Sequence, residues 1–173
     1  MRRCNRWLAL GGFCAAVAGA AWVGSRYSPR DAKTGLWYAR LKKPPFNPPD
    51  AVFPAVWTVL YSLMAISGWR VWQQPGSPER TAALRLWVSQ LLANAAWSRL
   101  FFGEHLPKWS LADVLALEGA VIGYIVEARK VEKPAALLFA PYAGWVAFAA
   151  LLNAEIVRRN PDAAEMLPRA NVA

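Results

Sequence analysis

The chain has 173 residues, 56% of them hydrophobic and 18% charged, and a net charge of +9. A basic surplus often marks nucleic-acid binding, but here the Lys and Arg residues fall mainly between long apolar runs, which points to anionic lipid headgroups and away from nucleic acid. Cys4 and Cys14 lack CxxC spacing and His105 is the only histidine, so neither a disulfide framework nor a protein-built metal site is expected.

Five apolar stretches follow one another, each close to the roughly 20 residues that a helix needs to cross a hydrocarbon core. The first is Trp7–Val23. Its Gly12, Ala16 and Ala20 form a row of small residues that would let another helix approach closely. Met1–Arg6 with Ala18-Gly19-Ala20 has the outline of a cleavable signal, but the run continues past Trp22 and four more runs follow, which favours a retained first span. A long linker, Gly24–Val52, holds Trp37, Tyr38 and the proline-rich run Lys42–Pro49, and is expected to cap one end of the bundle without regular structure of its own.

The second stretch is Phe53–Trp72, introduced by Pro48, Pro49 and Pro54 and closed by the turn signal Gln73–Pro78. The third, Ala82–Phe102, carries Gln90 and Asn94 four residues apart, so both share a face that should point into the bundle. His105 in the next link reads as a solvated loop histidine. The fourth stretch, Trp109–Ala128, contains Asp113 and Glu118; Asp113 reads as a helix-start cap or dipole partner. The fifth, Pro134–Val157, contains Pro141, which removes one backbone hydrogen bond and predicts a kink near Tyr142. The segment 161–173 reads as a short, polar, mobile tail. The fold class is therefore an all-α, multi-pass integral membrane protein, a bundle of five transmembrane helices in one domain over residues 1–160 with a long ordered linker between the first two. Counting Lys and Arg on each side leans slightly towards a cytoplasmic linker and C-terminus.

Ten tryptophans stand out. Trp7, Trp22, Trp69, Trp72 and Trp87 lie near span ends, where indoles form interfacial belts. Trp57, Trp97 and Trp145 differ: each sits three or four residues from a hydrogen-bonding partner on its own helix, Tyr61, Asn94 and Tyr142 respectively. If these faces converge, they line a cavity suited to a flat, ring-fused hydrophobe, and linker Lys and Arg could meet its carboxylates. A porphyrin, with an apolar plane and acidic propionates, fits better than a sugar or nucleotide. There is no GxSxG elbow, HExxH or phosphate-binding loop, and Asp113 and Glu118 are not at helix-face spacing for a paired acid site.

Four motifs, WYARLKKPPFNPP (37–49), VFPAVWTVLYSLM (52–64), QLLANAAWSRLFFG (90–103) and PYAGWVAFAALLN (141–153), resemble in order and spacing the TspO/translocator protein family, also called the peripheral-type benzodiazepine receptor (TspO/MBR) family. The resemblance implies a five-helix bundle, often a homodimer, with a pocket under the first loop for protoporphyrin IX, haem, sterols and synthetic ligands; porphyrin or haem would be a ligand, not a cofactor. It assigns pocket roles to Trp57, Tyr61, Asn94, Trp97, Trp109, Trp145, Ala149 and Leu152, and lid roles to Trp37, Pro44, Phe46, Asn47, Pro48 and Pro49. Phe46 replaces the family's usual Trp, Ala51 often a second one, and Leu152-Asn153-Ala154 lacks the Tyr of the animal sterol-recognition pattern. The implied function is a membrane receptor or carrier for porphyrins that modulates tetrapyrrole traffic or stress response. Its alternatives are light-dependent porphyrin breakdown, for which Trp57 and Trp145 would be the reactive pair, and sterol or lipid transport.

Overall fold

The computed structural model describes residues 3–28 and 32–165. Among these the chain forms six α-helices: α1 Arg3–Ser25, α2 Ala32–Arg40, α3 Val52–Trp72, α4 Pro78–Ser98, α5 Pro107–Val131 and α6 Lys133–Arg159. No strand occurs among the described residues. Arg2, Arg30 and Arg169, counted in the charge balance, and the tail residues 166–173 lie outside them.

The helices start earlier than hydropathy alone indicates; in α4 the first turn is polar but capped, and in α5 and α6 it is opened by proline. Ser77 Oγ accepts the backbone N–H of Arg80 at 3.1 Å, and Pro78 occupies the first helical position. Pro107 and Pro134 stand in the first turns of α5 and α6, where a missing N–H costs nothing. Basic residues close α5 (Arg129, Lys130) and α6 (Arg158, Arg159), matching the negative ends of their dipoles. α6 runs on through Pro141.

Four helices are long and apolar enough to cross a membrane: 6–25, 52–72, 107–131 and 133–159. α4 is as long as α3, at 21 residues, but Glu79, Arg80, Arg85, Gln90 and Asn94 lower its hydropathy. The last two are buried, as their shared face required. The exposed large side chains along the helices include Val59, Ile66, Val88, Leu92, Leu115, Ile122, Leu137 and Leu151, an apolar exterior suited to acyl chains.

The core is the seam between α3, α4, α5 and α6. The buried positions of α5 (Ser110, Val114, Leu117, Val121, Tyr124, Ala128) step by four and three, the spacing of helices that interlock at a shallow crossing angle. Leu60, Met64 and Val71 of α3, Trp87 and Leu91 of α4, and Phe139, Tyr142 and Val146 of α6 complete it. Among the buried polar links across this seam, Ser67 Oγ lies 2.6 Å from the Tyr124 hydroxyl and donates to the Ala135 carbonyl at 2.7 Å. α1 packs at the edge, against α3 and α4, through Phe13, Val17 and Ala20. This face is offset from the expected small-residue row, since Gly12 and Ala16 are exposed.

Three further expectations change. Trp87 is a core residue and not a belt residue; its indole donates to the Met64 carbonyl at 3.0 Å and meets Phe13 edge-on. The linker is not without regular structure, because α2 turns Thr34, Trp37 and Leu41 onto one buried face. The start of the tail is docked: 163–165 form a 3-10 turn with Ala163 buried.

Candidate functional site

On α3, Trp57 and Tyr61 are four residues apart and stack at 5.1 Å between ring centroids. Trp57 also meets Tyr142 of α6 edge-on at 6.2 Å. Between the two tyrosines sits Asn94 of α4. The Tyr61 hydroxyl donates to its Oδ1 at 3.2 Å, and its Nδ2 donates to the Tyr142 hydroxyl at 3.1 Å. One buried amide thus ties three helices, and its burial is tolerable because both ends are bonded. Trp145, one turn beyond Tyr142, faces Phe53 at 5.8 Å and Phe148 at 5.7 Å, and Phe148 meets Phe46 of the linker at 6.3 Å. An aromatic band therefore lies along the α3–α6 face, with Phe46, Phe148, Trp145 and Phe53 in one set of ring contacts and Trp57, Tyr61 and Tyr142 in the next.

Beside it, the Trp97 indole donates to Asn153 Oδ1 at 3.0 Å, an oxygen that also accepts from Ser110 Oγ at 3.0 Å. Asn153 Nδ2 returns a bond to the Pro107 carbonyl at 2.9 Å, so this side chain joins α4, α5 and α6. Trp97 stacks on Phe101 at 5.0 Å. Phe101 lies in a π-helical turn, Arg99–Gly103, whose wider backbone loop closes with Glu104 N–H on the Arg99 carbonyl at 2.8 Å.

The linker is fastened to this end of the bundle. Trp37 is fully buried against Phe101 and His105, and its indole donates to the Ala163 carbonyl at 2.9 Å. Asn160 grips Lys42 through both its backbone N–H and its carbonyl. Lys43 places its ammonium 3.7 Å from the centre of the Tyr38 ring. Burial, together with the charge of Asp50, pushes the Tyr38 phenol above its ordinary range, and a hydrogen bond with Asn47 opposes this. Pro44 is buried, and turns from Asn47 N–H to the Pro44 carbonyl (3.0 Å) and from Val52 N–H to the Pro49 carbonyl (2.9 Å) lead into α3. They leave Phe46 half exposed beside Phe148.

The TspO/MBR family profile matches residues 13–159. The chain belongs to the TspO/MBR family. It is 36% identical over 149 residues to a translocator protein of Ovis aries, covering 85% of this chain and 87% of the relative. It is 37% identical over 157 residues to a translocator protein of Homo sapiens (89% and 91% covered). It is also 36% identical over 157 residues to the tryptophan-rich protein TspO of Chlorobaculum tepidum (87% and 92% covered). The family match opens at Phe13, the residue through which α1 meets Trp87.

The structure sorts this family member's candidate residues into three groups. Trp57, Tyr61, Asn94, Trp97, Trp145 and Ala149 all pack against the main core on the linker side. Trp37 and Leu152 belong to a second cluster with Leu41, Phe101, Ile156 and Ala163, where they anchor the linker from beneath. Trp109 is apart: it is 68% exposed on the outer side of α5, beside a depression of about 150 Å³ lined by Leu106, Lys108, Val157 and Ala163. Trp57 packs on Tyr61 and Tyr142, which Asn94 bridges, and the larger of the two depressions, about 530 Å³, lies at the other end of α3, by Trp69 and Gln73.

Other readings are also revised. His105 is buried, has a left-handed backbone (φ 57°), and packs edge-on to Trp37 at 4.5 Å, so it is not a solvated loop residue. Asp113 lies in the second turn of α5 with one carboxylate oxygen buried and unbonded, so it is not a cap. Asn153, Phe53 and Phe148 were not singled out as site residues, whereas Tyr142 was expected on the shared face with Trp145 and lies there, bonded to Asn94. Asn153 had a sequence signal, an amide in the middle of an apolar run.

Proposed function

We propose that this protein is a five-span membrane receptor or carrier that binds porphyrins such as protoporphyrin IX and haem, and other flat hydrophobic ligands, and so modulates tetrapyrrole traffic or stress response. α4 is the fifth span in this reading: Gln90 and Asn94 are buried and its charged residues sit in its first turns, while Val88 and Leu92 face outward. The observation that carries the reading is the aromatic band of Phe46, Phe148, Trp145, Phe53 and Trp57 under the linker, closed at its base by the Tyr61–Asn94–Tyr142 bridge. A planar ligand slides between Phe46 and the Trp145 floor and stacks there; the exposed Lys42 meets its carboxylates at the rim. Relatives whose names call them translocator proteins are consistent with movement of a ligand.

The protein also forms a homodimer in this proposal, with the small strip of Ser89 (exposed) and Ala93 (half-buried) of α4 on the contact face. The decisive experiment on ligand binding is tryptophan quenching: purified protein in detergent shows saturable loss of fluorescence on titration with protoporphyrin IX. Linear, unsaturable quenching refutes the pocket.

A further inference from the structure

The end of the bundle opposite the linker holds a different feature. There α1 begins, α3 ends and α6 begins. A depression of about 530 Å³ opens between them, lined by Arg6, Trp69, Arg70, Gln73, Gln74 and Glu132. Its residues hold one another in place. Arg70 forks onto Glu132, with Nε to Oε2 at 3.0 Å and Nη2 to Oε1 at 2.5 Å. The Trp69 indole donates to the Arg6 carbonyl at 3.0 Å, and Arg6 Nε donates to Gln73 Oε1 at 2.6 Å.

The charges do not cancel. Arg70 is matched by Glu132, but Arg6 is bonded to a neutral amide, and no carboxylate pairs with it among the described residues. Two arginines against one glutamate leave the lining with one positive charge. That suits a monoanionic phosphodiester better than free phosphate, which carries more negative charge near neutral pH and which Glu132 would repel more strongly. The depth in the membrane also fits. Trp7 and Trp69 stack at 6.4 Å beside the opening, and paired indoles at helix ends settle at headgroup level. Leu8 and Ile66 are exposed on the helices that flank it, where acyl chains would run.

We propose that this depression is a binding site for the headgroup of an anionic glycerophospholipid. The Arg6 guanidinium takes the phosphodiester, the amides of Gln73 and Gln74 take headgroup hydroxyls, and the Trp7–Trp69 pair lies against the glycerol backbone. The site is separate from the aromatic band and does not depend on the porphyrin reading.

The test uses the full chain in nanodiscs of equal phosphatidylcholine and phosphatidylglycerol, released into native mass spectrometry to count retained lipids. Retained phosphatidylglycerol should exceed phosphatidylcholine, and Arg6→Gln should lower that preference about fivefold. Arg6→Lys should keep most of it, and Arg158→Gln, at the far end of α6, should leave it unchanged. Far-UV circular dichroism and the size-exclusion profile of the same Arg6→Gln sample should match the parent, which shows that the bundle is intact. The proposal is overturned if Arg6→Gln retains the full preference, if Arg158→Gln lowers it equally, or if millimolar inorganic phosphate displaces the lipid, which would make the site one for free anions.

Discussion

The side chain of Asn160 holds Lys42 by both backbone groups: its Oδ1 accepts the Lys42 N–H at 2.8 Å and its Nδ2 donates to the Lys42 carbonyl at 3.1 Å. Asn160 is the C-cap of α6 and Lys42 stands just after α2, so this clasp fixes the linker to the end of the bundle. Nδ2 also reaches the Ile156 carbonyl at 2.8 Å, which sets the amide's orientation.

Asn160→Ala removes all three bonds and leaves Lys42's backbone groups without this partner. The expected loss is about 2 kcal/mol, since each neutral bond contributes roughly 0.5–1.5 kcal/mol net. Thermal unfolding in detergent should show a lowered midpoint, and limited proteolysis should cut the linker near Lys42 and Lys43 sooner than in the parent. Unchanged cleavage there would mean that Trp37 and Ala163 suffice to hold the linker.

The fold was readable where composition and geometry coincide. The apolar runs marked all five long helices, and the spacings of Trp57 with Tyr61 and of Gln90 with Asn94 correctly indicated shared, inward faces. Hydropathy misplaced the helix starts because Pro78-Glu79-Arg80-Thr81 is polar yet helical, stabilised by the Ser77 cap. Tryptophan was the least legible residue. An indole at a span end is equally suited to a headgroup belt, a core or a pocket. Trp87 went to the core because Gly68 opposite leaves room for it, Trp109 faces outward, and Trp37 is buried under a C-terminal turn 126 residues away in sequence. Such pairings depend on long-range contacts that no local spacing encodes. α2 was hidden for a related reason: Gly35 and the following prolines give a loop-like composition, and only the docking of Trp37 and Leu41 rewards the helix.

Two glycines give a matched pair of tests. A Cβ at Gly68 would lie 2.6 Å from Trp87 Nε1 and 2.8 Å from a Phe13 ring carbon. Trp87 cannot swing away without losing its bond to the Met64 carbonyl. Gly68→Ala should therefore destabilise the protein by about 1–3 kcal/mol through overpacking. At Gly119 on α5 a Cβ meets nothing within 4 Å. Gly119→Ala should be neutral or stabilising by up to about 1 kcal/mol, the helix-propensity difference. Thermal or denaturant unfolding of both variants in the same detergent checks the contrast.

The Asn94 bridge predicts non-additivity. Tyr61→Phe and Tyr142→Phe each delete one bond to the same amide, and each leaves part of a buried Asn94 unbonded. Each single change should cost about 1–2 kcal/mol, and the double variant should depart from the sum by roughly 0.5 kcal/mol or more, as is usual within one network. Asn94→Leu, which removes the amide itself, should separate two effects in one sample: unfolding stability reports the lost bridge, while porphyrin quenching reports whether the floor of the aromatic band still forms.

Ligand binding should discriminate between two tryptophans to which the family resemblance assigns the same role. Trp145 lies in the aromatic band between Phe53 and Phe148, whereas Trp109 points outward from α5. Trp145→Ala should weaken protoporphyrin IX binding about tenfold, the loss of one large stacking surface worth around 1.5 kcal/mol. Trp109→Ala should leave the dissociation constant within about twofold, since an effect that small is under 0.5 kcal/mol. Phe46→Trp should act in the opposite direction: it enlarges the ring above Phe148 and should tighten binding. The three dissociation constants come from the same quenching titration, with total fluorescence corrected for the indole gained or lost. Weakening at Trp109 equal to that at Trp145 would place the ligand on the outer side of α5, where the small depression beside Lys108 would then have to hold it.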